Sequence, residues 1–102
     1  MDKRELAQLK AGNEAALNEW FNRNVDSLYT FIYYRVGSNT DLAEDIVNST
    51  FTLAIKKLDK FDPDRGTMIN WLRLLSRNII RDQLRFRQRI VDFQAVWDGI
   101  DE

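Results

Sequence analysis

The chain has 102 residues, enough for one domain, and its hydrophobic fraction of 44% fits a folded core rather than a disordered chain. Fifteen basic and sixteen acidic residues leave a formal charge of −1, and the absence of Cys and His excludes disulfides, thiolate metal sites and imidazole general bases. Nothing in the opening MDKRELAQLK resembles a signal h-region and no stretch approaches a membrane span, so a soluble, cytoplasmic protein with no membrane contact and no cofactor is expected.

In chain order, DKRELAQLKAG reads as a short helix with Leu6 and Leu9 on one side, stopping at Gly12. NEAALNEWFNR follows as a second helix, with Asn13 as N-cap and an apolar set of Ala16, Leu17, Trp20 and Phe21. In VDSLYTFIYYRVG, residues Val25, Leu28, Ile32 and Val36 recur at helical spacing, and Gly37 is a C-terminal stop. Thr40 or Asp41 is expected to cap a long helix to about Lys60. Its acids near the start and Lys56, Lys57 and Lys60 near the end complement the helix dipole. FDPDRGT breaks the pattern around the only proline, Pro63. A last long helix is expected from Met68 or Ile69 to about Arg89. VDFQAVWDGIDE then reads as an acidic, aromatic linker or a docked short helix, carrying Phe93, Val96, Trp97 and Ile100 at helical spacing. The expected fold is all-α, a compact bundle of about four to five helices over residues 1–90, with 91–102 as a linker or tail.

Two charge patterns stand out. Residues 71–90 hold six arginines against one acid, Asp82, which makes this segment +5 and the remainder −6. Five of the six, Arg73, Arg77, Arg81, Arg85 and Arg89, are spaced by four and form one slowly winding band on a helix. Like charges at that spacing oppose the helix by about 0.2–0.5 kcal/mol per pair, so four pairs cost on the order of 1–2 kcal/mol. A helix shaped for stability alone would have interleaved Glu. The other side of this helix, with Leu72, Leu75, Ile79 and Phe86, is expected to face the core. Such a band is either a solvated face, a set paired with acids of a neighbouring helix, or a polyanion track. An isoelectric point near 5.5 restricts a track to one face of the domain. The second pattern is on the 41–60 helix. Leu42, Ile46, Val47, Phe51, Ala54 and Leu58 form its apolar stripe, and Asp41, Glu44, Asp45, Asn48, Ser49 and Thr52 lie opposite. That polar side is either ordinary solvated surface or a docking face for a basic partner.

The loop KFDPDRGTMINW is rich in polar groups. Counted from Asp62, Gly66 is fifth and Arg73 twelfth, which fails the calcium-loop register. No metal is expected, and no convergent carboxylate pair points to an enzyme.

Together these residues resemble region 2 of bacterial sigma factors of the extracytoplasmic-function group. The resemblance is carried by DLAEDIVNSTF (Asp41–Phe51), by Phe61 and Gly66 before Trp71-Leu72, and by Arg77-Asn78 followed by Asp82 and Arg85. It covers about residues 3–90. Asn48 departs from it, because the family usually has Gln there. No helix-turn-helix domain for the −35 element follows, so the chain reads as a fragment cut at the linker or a reduced relative.

The resemblance implies a transcription initiation module. Its acidic helix would dock on the clamp helices of the polymerase largest subunit through Asp41, Glu44, Asp45, Asn48, Ser49 and Thr52. Its loop and last helix would recognise and open the −10 promoter element and hold the non-template strand. The implied DNA-binding residues are Lys56, Lys57, Lys60, Phe61, Asp64, Arg65, Gly66, Thr67, Asn70, Arg73, Arg77, Asn78, Arg81 and Arg85. An anti-sigma factor is a further partner that the resemblance allows. Trp71 is expected in the core rather than stacked on a base. The alternative to all of this is a helical protein-interaction module without nucleic-acid binding, its arginines satisfied internally.

Overall fold

Side-chain caps punctuate the chain. Asp2 accepts a hydrogen bond from the Glu5 N–H at 2.8 Å, Asn13 from Ala16 at 3.0 Å and Asn39 from Leu42 at 3.0 Å. They open helices α1 (Lys3–Lys10), α2 (Glu14–Arg35) and α3 (Thr40–Lys56) of the computed structural model, which describes the backbone of residues 1–101 and the side chains of residues 1–99. Thr67 closes the start of α4 (Met68–Asp101) in the same way, its hydroxyl accepting from the Asn70 N–H at 3.3 Å. A single 3₁₀ turn, Leu58–Lys60, follows α3. The stops are equally local. Gly12 and Gly37 take φ of 77° and 65°, where a Cβ is disfavoured, and Ser38 follows Gly37 into the left-handed region at 61°.

Four boundaries differ from those the sequence suggests; the third helix, expected to run to about Lys60, ends at Lys56, and Leu58–Lys60 form the separate 3₁₀ turn after its Lys57 cap. Residues 14–35 form one helix, not two, because Asn24 turns its amide back onto the Trp20 carbonyl at 2.8 Å and leaves the backbone helical. The cap of α3 is Asn39, one residue before Thr40. The last helix does not stop near Arg89. No Gly or Pro interrupts the chain between Met68 and Gly99, and Gln88–Asp92 and Gln94–Asp98 hydrogen bonds at i, i+4 spacing carry it onward.

Helices α2, α3 and α4 pack on one another, and α1 lies against α2. Leu28 and Ile32 of α2, Ala43, Ile46 and Ala54 of α3, and Leu72 of α4 form the centre, with Leu6 and Leu9 of α1 closing one end. Burying each of the large side chains is worth about 1.5–3 kcal/mol. Ala43 and Ala54 let α3 approach its neighbours closely. The buried hydroxyls of Thr50 and Ser76 are satisfied within their own helices, on the carbonyls of Ile46 and Arg73, both at 2.7 Å. Trp20 meets Phe51 edge-to-face at 5.1 Å between centroids.

The bundle uses only the first part of α4. Ile80 is buried, and every described residue from Arg81 to Gly99 is exposed. Phe86 is therefore not a core residue: its ring is 57% exposed, one turn and a half beyond the last position that α2 and α3 can cover. Residues 91–99 do not form a separate docked short helix but continue α4, with Phe93 and Trp97 stacked at 6.4 Å on an exposed face. The side chains of Ile100 and Asp101, and Glu102 altogether, lie outside the described residues. This overhang draws the molecule out to 64 × 24 × 22 Å.

Candidate nucleic-acid interface

Two surfaces carry the charge patterns. On α3 the buried stripe turns Asp41, Glu44, Asp45, Asn48, Ser49 and Thr52 to solvent, where all six are exposed together. The Thr52 hydroxyl donates to the Asn48 carbonyl at 2.9 Å, while the three carboxylates enter no ion pair among the described residues.

The second surface is built from the loop and α4. Lys56, Lys57 and Lys60 are exposed around the end of α3 and its 3₁₀ turn. Asp62 accepts the Asp64 N–H at 2.9 Å and pairs with Arg65 at 3.5 Å, which gives the loop a local Asx turn. Asp64, Arg65, Gly66 and Thr67 are all exposed. Phe61 is the exception in this set. Its ring is in the core, tilted against Trp71 at 5.2 Å, so it anchors the loop from below and offers no face to a ligand. Trp71 packs on the core, as its amphipathic position predicts.

Along α4 the arginine band winds as the 3.6-residue period requires. Arg73 is half-buried against α2: its guanidinium donates to the Ser27 hydroxyl at 3.1 Å and to the side-chain carbonyl of Asn70 at 3.5 Å. Arg77, Arg81 and Arg85 are exposed. Arg81 donates to the side-chain carbonyl of Asn78, which leaves the amide NH₂ of Asn78 as its outward donor. The described ion pairs are Arg23 with Glu5 and Glu19, and Arg65 with Asp62. None involves an arginine of α4, so pairing with acids of a neighbouring helix does not account for the band.

One group of residues on this side was not legible in the sequence. Arg35 and Phe31, from the last turns of α2, meet Arg73 and Arg77 across the helix interface. The Arg35 guanidinium lies 3.5 Å from the centre of the Phe31 ring, with Arg73 at 5.5 Å and Arg77 at 6.0 Å. Periodicity reports the faces of one helix and not which faces meet, so only the packing of α2 on α4 reveals this convergence.

With this arrangement in place, comparison with known proteins is decisive. The sigma-70 region 2 family model matches residues 20–90, most of the chain. The chain belongs to the sigma-70 region 2 family. Several of its relatives are named as ECF RNA polymerase sigma factors. It is 32% identical over 88 residues to the ECF RNA polymerase sigma factor BldN of Streptomyces coelicolor, covering 83% of this chain and 33% of that protein. It is 31% identical over 85 residues to the ECF RNA polymerase sigma factor SigW of Bacillus subtilis (83% and 44%), and 33% identical over 91 residues to the RNA polymerase sigma factor CarQ of Myxococcus xanthus (88% and 50%). The chain thus spans a third to a half of the length of these relatives. No solved structure matches it. The matched span begins at Trp20 and ends at Ile90, so region 2 here takes in most of α2, all of α3, the loop and the basic half of α4. Among the described residues, no helix is long and apolar enough to cross a membrane.

Proposed function

We propose that this region 2 chain is a transcription initiation module that docks on core RNA polymerase through α3 and holds the opened −10 promoter element along its loop and α4. The observation that carries the reading is the unpaired state of the α4 arginines on a near-neutral protein. Six cations gathered in twenty residues oppose their own helix, and no described carboxylate offsets them. Family membership supports the same reading. The exposed acids of α3 fit a basic surface on the clamp helices of the polymerase largest subunit. Asn78, Asn70 and the loop residues Asp64 to Thr67 offer polar groups able to read the edge of an unstacked base, while Arg77, Arg81 and Arg85 contact phosphates. The competing reading, a protein-interaction module with internally satisfied arginines, is disfavoured by those unpaired guanidiniums.

The test is co-purification with core RNA polymerase, followed by probing of a promoter fragment for unpaired thymines over the −10 element. The proposal expects a stoichiometric complex and reactivity that depends on the chain. A chain that binds polymerase nowhere and leaves single-stranded DNA unshifted at low salt contradicts it.

A further inference from the structure

The strand path proposed above uses one loop and one helix. The groove between the C-terminal half of α2 and the first half of α4 lies beside that path and carries an unbalanced charge of its own. Three guanidiniums, those of Arg35, Arg73 and Arg77, converge on the single ring of Phe31. An aromatic face attracts one cation well, but it does not neutralise three. Asp26 is the one carboxylate lining the groove, and it pairs with none of them among the described residues. The Nε of Arg73 is buried without an acceptor, although its Nη2 reaches Ser27. A buried donor of this kind is costly until something brings it an acceptor. On the rim, the ring of Tyr34 is 72% exposed, an unusual place for a large aromatic side chain. The groove has a volume of about 920 Å³ and is open to solvent, in the size range of small-ligand sites.

A ligand that answers all of these features carries an oxyanion with more than one acceptor oxygen and a flat face. An acidic peptide would supply the charge but would leave most of the Tyr34 ring, whose own packing is an edge-to-face contact with Tyr33 at 5.3 Å, open to solvent. We infer that this groove seats one nucleotide of a single strand, its phosphate on Arg35, Arg73 and Arg77 and its base stacked on Tyr34. The inference rests on the single-strand reading above and extends it. The strand leaves the α4 band at Arg77 and crosses onto α2, and two residues outside the family's arginine helix, Tyr34 and Arg35, become strand contacts.

Anisotropy titrations of the full chain with a labelled −10-type oligonucleotide test this. Tyr34→Ala is expected to weaken binding about five- to a hundred-fold, the range for loss of one stacked base, while Tyr34→Phe retains parental affinity. Arg35→Gln is expected to flatten the slope of log affinity against log salt by about 0.7. An abasic residue at one oligonucleotide position should cost the parent as much as Tyr34→Ala does, and cost the Tyr34→Ala protein nothing further. Tyr34 and Arg35 are exposed, and circular dichroism of both variants checks the fold. Parental affinity in Tyr34→Ala and Arg35→Gln, beside a loss in Arg85→Ala, overturns the groove while the α4 track stands. Loss of no binding in any of the three, or no binding by the parent, overturns both. Displacement of the oligonucleotide from the parent by inorganic phosphate at matched ionic strength would reduce the site to a simple anion site and also contradict the nucleotide. So would tight Arg35-dependent binding of polyglutamate with no effect of the variants on DNA.

Discussion

Asn78 and Arg81 work as a unit. The guanidinium of Arg81 fixes the carbonyl end of Asn78 and so decides which polar atoms of that amide face outward. A plain division, in which Asn78 specifies and every arginine merely attracts, is therefore not expected to hold at this one position. Asn78→Ala is expected to lower discrimination between −10-type and scrambled single strands while leaving the salt slope nearly unchanged. Arg85→Ala should weaken all strands alike and flatten the slope by about 0.7. Arg81→Ala should do both, because it removes a cation and frees Asn78. Salt titrations of the three variants on two oligonucleotides check this, and an Arg81→Ala protein with intact discrimination would break the coupling. In the core, Leu72 has no accessible surface, whereas Leu74, two residues on, is 57% exposed. Leu72→Ala should destabilise the domain by about 2–5 kcal/mol and Leu74→Ala by no more than about 0.5 kcal/mol, read from denaturant midpoints.

At the scale of elements, α4 behaves as two halves joined without a seam. Its first turns are clamped by α2 and α3, and its described residues beyond Ile80 are all exposed. Truncation after Ile90 is accordingly expected to lower the helical signal while leaving the unfolding midpoint of the domain unchanged. A matching fall in the midpoint would show that the overhang packs on the bundle. The same truncation removes Asp92, Asp98, Asp101 and Glu102, so it should tighten single-strand binding at low salt, an effect that fades above about 0.15 M as charges become screened. The element types were legible because their signals are local: Gly12, Gly37 and Pro63 as breaks, Asn13 as a cap, and the apolar stripe from Leu42 to Leu58, all of it buried. The joints were less so. Asn24 looks like a boundary residue until its amide turns back on Trp20, and nothing in the composition near Ile80 marks the point where α2 and α3 run out. The candidate site divides the same way. The exposed acids of α3 and the winding of the arginine band follow from helical period, but the burial of Phe61 and the meeting of Arg35 with Arg73 and Arg77 depend on how helices pack.

The whole molecule is a near-neutral chain that keeps its charges apart. The −6 of the remainder and the +5 of residues 71–90 nearly cancel in sum, and α3 presents its exposed carboxylates on a helix that carries no arginine. Such a separation suits a protein that must meet a basic protein surface and a polyanion at once, with each partner steered to its own side. It also predicts that the two functions can be lost one at a time. Asp45 is exposed and outside the apolar stripe, so Asp45→Lys should leave helicity and stability intact while weakening polymerase binding.

The most direct test of this account is a paired titration, of core polymerase and of a −10-type single strand over a range of salt, for the parent, Asp45→Lys and Arg85→Ala proteins. If about four cations neutralise phosphates, the parental slope against log salt should be near −2.8, a loss of about fifty-fold between 50 and 200 mM. Asp45→Lys should lose polymerase and keep its DNA affinity, with no flattening of the slope; Arg85→Ala should keep polymerase and flatten the DNA slope. A flat salt dependence in the parent, or the same loss of both partners in both variants, would contradict the separation of faces.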